Sequence, residues 1–280
     1  MSSPGLIHLA ARSYRCALSL TSHDVAAWLW VRLARAFPRA VAAVLMPDHV
    51  HLVTPAADAA GARAAFARIA GNLTRTRLAR GAVRWDDIDL PQPITDPVKV
   101  LRNLRYVALN PVRAGLAADP LAWPWSTYRD VMGAIADPWV TDARVAALVG
   151  RPLSTFRPWF HRYVSSDPSC NVAGSPAPRG SSLAELGAAP LAWIADAAAS
   201  SARGCRDDVR RRSPTRALFL AAAQHAHAHA PARLADACGI TRRAVHASRA
   251  HAADPRSTRS LEAALLCLGD DRLRITSRRE

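Results

Sequence analysis

Residues 41–46 and 49–54 are two β-favouring runs that meet at Pro47 and Asp48, and they constrain the fold more than any other stretch. Proline and aspartate at that junction suit a tight reversal, so the two runs are expected to pair as an antiparallel hairpin. Side chains two apart on a strand share a face, which sets His49 beside His51 while Val50 and Leu52 turn into a core. A chain that opens this way needs further strands to cover the hairpin's edges and helices to cover its apolar face.

Residues 6–12 read as a first strand. Residues 25–37 follow as a helix, with Thr21, Ser22 and Asp24 as candidate caps and Pro38 as its stop. Residues 59–80 are alanine-rich and helix-favouring, and place Arg68, Arg75, Arg77 and Arg80 among Ile69, Leu73 and Leu78. Such a helix suits a DNA backbone, or equally a solvated face. Residues 82–88 are expected as a short strand and residues 90–93 as a proline-rich connection. Asp96 is a good N-cap with Pro97 at the first helical position, and Val100, Leu101, Leu104, Val107 and Ala108 form the apolar stripe of the next helix. Tyr106 falls on its other side, near Arg102, Asn103 and Asn110. Pro111 disfavours helical geometry at Asn110, so the helix is expected to end there.

Residues 165–182 are rich in serine, proline and glycine without an apolar period. The expected organisation is a domain over residues 1–150, a linker over 151–182 and a helical module over 183–280. The fold class is α+β: a central antiparallel sheet with helices packed on it, then a small all-α C-terminal module. In that module RLADACGITRRAVHASR resembles a helix-turn-helix, with Gly239 at the turn, Val245 packing the second helix, and Thr241, Arg242, Arg243 and His246 free to face a groove. A plain helical hairpin is the alternative. His225, His227 and His229 also alternate, but in an alanine-rich tract where helix is expected, and there residues two apart diverge. They are not taken as a metal site.

Charge points to a polyanionic partner: 37 basic against 22 acidic residues leave a net charge of +15, almost wholly arginine because Lys99 is the one lysine. Guanidinium forks suit phosphate, although a coding bias that also inflates alanine accounts for the same excess. The five cysteines, Cys16, Cys170, Cys205, Cys238 and Cys267, are odd in number and widely spaced, so neither a disulfide framework nor a zinc cage is indicated. With no apolar run of membrane-spanning length and no leader pattern, a cytoplasmic protein associated with the nucleoid is expected, without a membrane partner.

Two imidazoles on one strand face have metal-ligand geometry, a weak signal by itself that gains from the residues around it. Neutral imidazole binds Mn, Zn and related ions, and an added amide oxygen with open positions for phosphate oxygens suits Mg or Mn. Asn110, one turn beyond Tyr106, is the candidate amide, or else a helix-terminating residue. Tyr106 is a candidate nucleophile, or else a packing residue with a wet hydroxyl. Arg102 is a candidate phosphate contact. Trp123, Trp125 and Tyr128 form an aromatic cluster that suits core packing better than base stacking.

MPDHVHLV, RYVALNPVRAGL and WPWSTYR, in that order over residues 4–133, together resemble the REP-associated tyrosine transposases, a branch of the single-tyrosine HUH transposase family. The resemblance implies a ferredoxin-like α+β domain, a divalent ion on His49 and His51, Tyr106 attacking a DNA phosphodiester, and Asn110 as the polar position four residues on. It also implies single-stranded or hairpin DNA from repetitive palindromic elements as substrate, cleaved through a covalent 5′-phosphotyrosine. The chain departs from the family where members carry a tryptophan-glycine-arginine segment, here VRWDDIDLP with Trp85, and where Asp48 replaces the commoner asparagine. A domesticated, sequence-specific DNA-binding protein without cleavage is the alternative reading. Monomer and homodimer both remain open.

Overall fold

The computed structural model describes residues 5–13, 20–55, 58–76, 78, 84–86, 88, 90–225, 229–248 and 255–274. They belong to two compact units, one of residues 1–131 and 139–175 and the other of residues 132–138 and 176–280. The fold is α+β, with a sheet and its helices in the first unit and helices in the second.

The first unit begins β1 (Leu6–Arg12), α1 (His23–Ala36), β2 (Ala42–Leu45), β3 (His49–Pro55), α2 (Ala59–Thr74), β4 (Gln92–Ile94) and α3 (Pro97–Arg113). The strands lie in the order β2-β3-β1-β4 and every pairing is antiparallel. That order with a βαββαβ chain path is the ferredoxin-like, split βαβ arrangement. The expected hairpin is present: the Met46 N–H donates to the His49 carbonyl at 2.8 Å across Pro47 and Asp48. Along β1 and β3, Leu9, Val50 and Leu52 are wholly buried on one face. The opposite face carries the polar side chains.

Two helices differ in extent from their sequence patterns. α2 stops at Thr74, and the Thr76 hydroxyl donates back to the Leu73 carbonyl at 2.7 Å, competing with continuation of the helix. In α3 the Asp96 carboxylate caps the Val98 N–H at 2.8 Å as expected, but the helix runs through Pro111 to Arg113 instead of ending at Asn110. Asn110 and Pro111 are both buried, and the Ala114 N–H still donates to the Asn110 carbonyl at 3.0 Å. Burial offsets the lost hydrogen bond that proline imposes. The strand expected at residues 82–88 is reduced, among the described residues, to a bridge between Ser13 and Trp85, and Trp85 meets Phe66 edge-on at 5.4 Å. The sheet's fourth strand is instead β4, where a connection was expected; it pairs with β1 alone, so Pro93 occupies an edge.

The chain then returns to β2. The Thr127 hydroxyl donates to the Ala43 carbonyl at 3.1 Å and accepts from its N–H at 2.8 Å, and the Trp123 indole donates to the Leu45 carbonyl at 2.7 Å. Trp125 and Tyr128 are buried, so the aromatic cluster is core. After α4 (Thr127–Val131) and α5 (Asp142–Leu148), the span expected as linker begins instead with a helix, α6 (Leu153–Ser165). Phe156, Phe160 and Val164, spaced by one helical turn, are buried within the first unit, which continues to Ser175.

The second unit contains α7 (Leu183–Ala188), α8 (Leu191–Ser201), α9 (Pro214–His225), α10 (Pro231–Cys238), α11 (Arg242–Ser248) and α12 (Pro255–Gly269). α10 ends at Gly239, whose φ of 64° supplies the left-handed cap, and α11 follows with the Thr241 hydroxyl accepting from the Ala244 N–H at 3.2 Å. Val245 is buried, and the Gln224 amide of α9 donates to its carbonyl at 2.7 Å. α9 ends at His225; His227 lies outside the described residues and His229 lies beyond the helix, so no single helix carries that tract. Among the described residues no helix is long and apolar enough to cross a membrane.

Candidate active site on the polar face of the sheet

The register of β1 and β3 builds the site. Ala10 lies opposite His51, Arg12 opposite His49 and His8 opposite Val53, and residues opposed across antiparallel strands share a face. His8, Ala10, Arg12, His49 and His51 therefore stand on one surface. Ala10 adds only a methyl group, so the His8 ring can reach diagonally to His51, bringing its Nε2 to 3.1 Å from the His51 Nδ1. The His49 and His51 rings lie 4.9 Å apart and nearly perpendicular.

α3 carries Tyr106 to this surface. Its ring meets His51 edge-on at 5.3 Å and His8 at 6.2 Å, and the residue remains 40% exposed. The sequence-predicted His49, His51 and Tyr106 thus converge. Asn110, a turn further along, is buried, and its side chain makes no hydrogen bond to either imidazole. Arg102, a turn before Tyr106, is exposed. Arg75 ends α2, exposed, with its guanidinium donating to the Asn72 amide oxygen at 2.6 Å, whereas Arg77 lies outside the described residues. Arg242 and Arg243 are exposed at the start of α11, in the second unit.

Three contributors were not picked out from sequence. His8 is one. Asp48 is another: its carboxylate lies 2.6 Å from the His49 Nδ1. Arg113 is the third, with its guanidinium 5.3 Å from the Tyr106 ring centroid, within cation–π range. The Asp167 carboxylate holds it there, accepting from Arg113 at 2.9 Å and lying 3.1 Å from the Arg105 Nε. Burial alone would raise the Asp167 pKa, but hydrogen bonds from Ser169 and the two guanidiniums leave it lowered on balance. For His8, two-residue alternation along β1 was a usable signal. For Arg113, its seven-residue separation from Tyr106 was one, since that spacing returns to nearly the same helix face.

Burial keeps the His8 and His51 rings neutral. His51 is lowered to about 3, first by desolvation and then by the positive charge that His8, His49 and Arg12 would set against its own, and His8 is lowered by burial. Neutral rings offer lone pairs at physiological pH, as metal binding requires. A carboxylate accepts and does not donate, so Asp48 fixes the His49 proton on Nδ1 and leaves Nε2 available. Among the described residues no group of three or more histidine, cysteine or carboxylate side chains is arranged as a metal cage. The imidazole donors that the site offers are His49 and His51, whose rings lie 4.9 Å apart.

No family model matches the chain, and no curated protein matches it. Among solved structures, a REP-associated tyrosine transposase bound to a REP hairpin matches with 20% sequence identity and a TM-score of 0.38, over 46% of this chain and 81% of that one.

Proposed function

We propose that this chain is a tyrosine-nucleophile DNA endonuclease and strand transferase acting on single-stranded or hairpin DNA of the repetitive palindromic kind. The observation that carries the reading is the Tyr106 ring, part-exposed and 5.3 Å from the His51 ring, one of two imidazoles on the same face of one strand.

His49 and His51, with Asn110 as the third candidate, would hold a divalent ion, Mg or Mn, whose chemistry is to draw charge off a scissile phosphate. The Tyr106 oxygen attacks phosphorus in line, its proton passing to solvent. The bond to the 3′-oxygen breaks, and that oxygen takes up a proton to leave as a free hydroxyl while the 5′-phosphate stays on Tyr106. The phosphodiester count is unchanged, so a second 3′-hydroxyl can reverse the step and join strands. Arg113, and Arg102 on the exposed side of the helix, meet the phosphate oxygens. Arg75 and Arg77 are further candidates for phosphate contact, and α10 with α11 adds duplex affinity through Arg242 and Arg243.

The test is incubation of the full chain with labelled hairpin oligonucleotides and Mg or Mn. A covalent protein–DNA adduct is expected, lost in Tyr106→Phe and weakened in His49→Ala. Retarded DNA without any adduct would instead identify a DNA-binding protein that does not cleave.

A further inference from the structure

We infer that His8 is a positioning residue for the ion site: its Nε2 accepts the Nδ1 proton of His51, which turns the lone pair of the His51 Nε2 toward the ion. The inference rests on the proposed ion-dependent function and adds to it a residue on a different strand.

The geometry is a nitrogen-to-nitrogen separation of 3.1 Å between the His8 Nε2 and the His51 Nδ1. A neutral imidazole has one N–H and one lone pair, so one ring donates and the other accepts. If His8 donated, the His51 Nδ1 would spend its lone pair on that bond and its Nε2 would carry hydrogen, leaving His51 nothing to offer a cation. If His51 donates, its Nε2 is free. The neighbouring ring already has this polarity, because Asp48 can only accept from the His49 Nδ1 at 2.6 Å. Both rings of the pair then have Nδ1 anchored and Nε2 available, one through a carboxylate on the turn and the other through an imidazole on β1. Metal-binding histidines commonly have their second nitrogen held in this way, and losing the holder typically lowers metal affinity about 10- to 100-fold.

The residue opposite His51 is part of the device. Ala10 is small, and a larger side chain there would fill the diagonal lane by which the His8 ring reaches its partner.

Two measurements test the inference on the full chain. Selective nitrogen-15 labelling of histidine, with His51 assigned from His51→Asn, reports which ring nitrogen carries the proton; protonated Nδ1 is expected in the unsubstituted protein and protonated Nε2 overturns the inference. Calorimetric titration with MnCl2 is expected to show affinity lower by about 10- to 100-fold in His8→Leu, with most of it recovered in His8→Gln, whose amide oxygen can accept. Unchanged Mn affinity in a folded His8→Leu also overturns it, while leaving the nuclease reading in place. Failure of the unsubstituted protein to bind Mn removes the ion site and this role together. Should His8→Leu not fold, the tautomer measured in the unsubstituted protein decides.

Discussion

The Arg113 guanidinium lies 5.3 Å from the centre of the Tyr106 ring and is tied on its far side to Asp167 at 2.9 Å. In the proposed cleavage step, a cation so placed would meet negative charge that develops on the phenol oxygen and on the phosphate it attacks. The same carboxylate lies 3.1 Å from the Arg105 Nε, and the Arg105 guanidinium covers the Tyr163 ring at 4.7 Å, so Asp167, in the segment after α6, anchors both of these α3 arginines. Arg113→Ala is expected to slow adduct formation by about a hundredfold. Hairpin binding should change far less, because one contact among many phosphate contacts is lost. Arg113→Lys should restore only part of the rate, since an ammonium lacks the planar fork. Single-turnover cleavage beside an affinity measurement separates the two effects, and an equal loss in both would assign Arg113 to binding alone.

The imidazole cluster makes stability depend on pH in a definite direction. His51 titrates at about 3 in the folded chain against an ordinary 6.5, so between those values the unfolded chain binds more protons than the folded one. Its contribution is complete above about pH 6.5 and declines as pH falls toward 3, by at most about 1.4 kcal/mol per pH unit. His8, lowered by burial, acts in the same sense. Thermal melts in EDTA are expected to fall from about pH 7 to about pH 5, with a shallower slope in His51→Asn. Equal slopes in the two proteins would contradict the buried, neutral state of His51.

What could be read from sequence follows from the range of the forces involved. The hairpin, β1 and the Asp96 cap depend on neighbouring residues: alternation, a reversal at Pro47 and Asp48, and an acceptor beside Pro97. All are present in the structure. His8 was not singled out because its partner is 43 residues away, and only the β1–β3 register, with Ala10 across from His51, brings the rings together. β4 was hidden by Pro93, which argues against a strand except at an edge, and edge position is decided by the whole sheet. Pro158 argues against a helix at α6 and favours a linker there, although Phe156, Phe160 and Val164 carry a helical period. Pro111 misled in the same way, because packing of α3 kept the helix intact past the point where local preference would end it.

Arg242 and Arg243 lie together on the exposed start of α11, while Val245 of the same helix is buried and its carbonyl accepts from Gln224 at 2.7 Å. One face of α11 is thus held by the second unit's core and the other presents charge, the division a groove-reading helix requires. Each arginine that neutralises a phosphate adds about 0.9 to the slope of log affinity against log salt. Replacing both with alanine is expected to lower duplex affinity at low salt and to reduce that slope by about 1.8 if each makes one such contact. Covalent adduct formation on a short single-stranded oligonucleotide should be unaffected, because Tyr106 and its imidazoles belong to the first unit. An unchanged slope in the double variant would show that α11 does not lie on DNA, and the buried face of the helix would then account for its packing alone. To separate lost contact from lost fold, Val245→Ala serves as the contrasting variant: it should lower the melting temperature of the second unit, whereas the arginine pair, being exposed, should leave melting nearly unchanged.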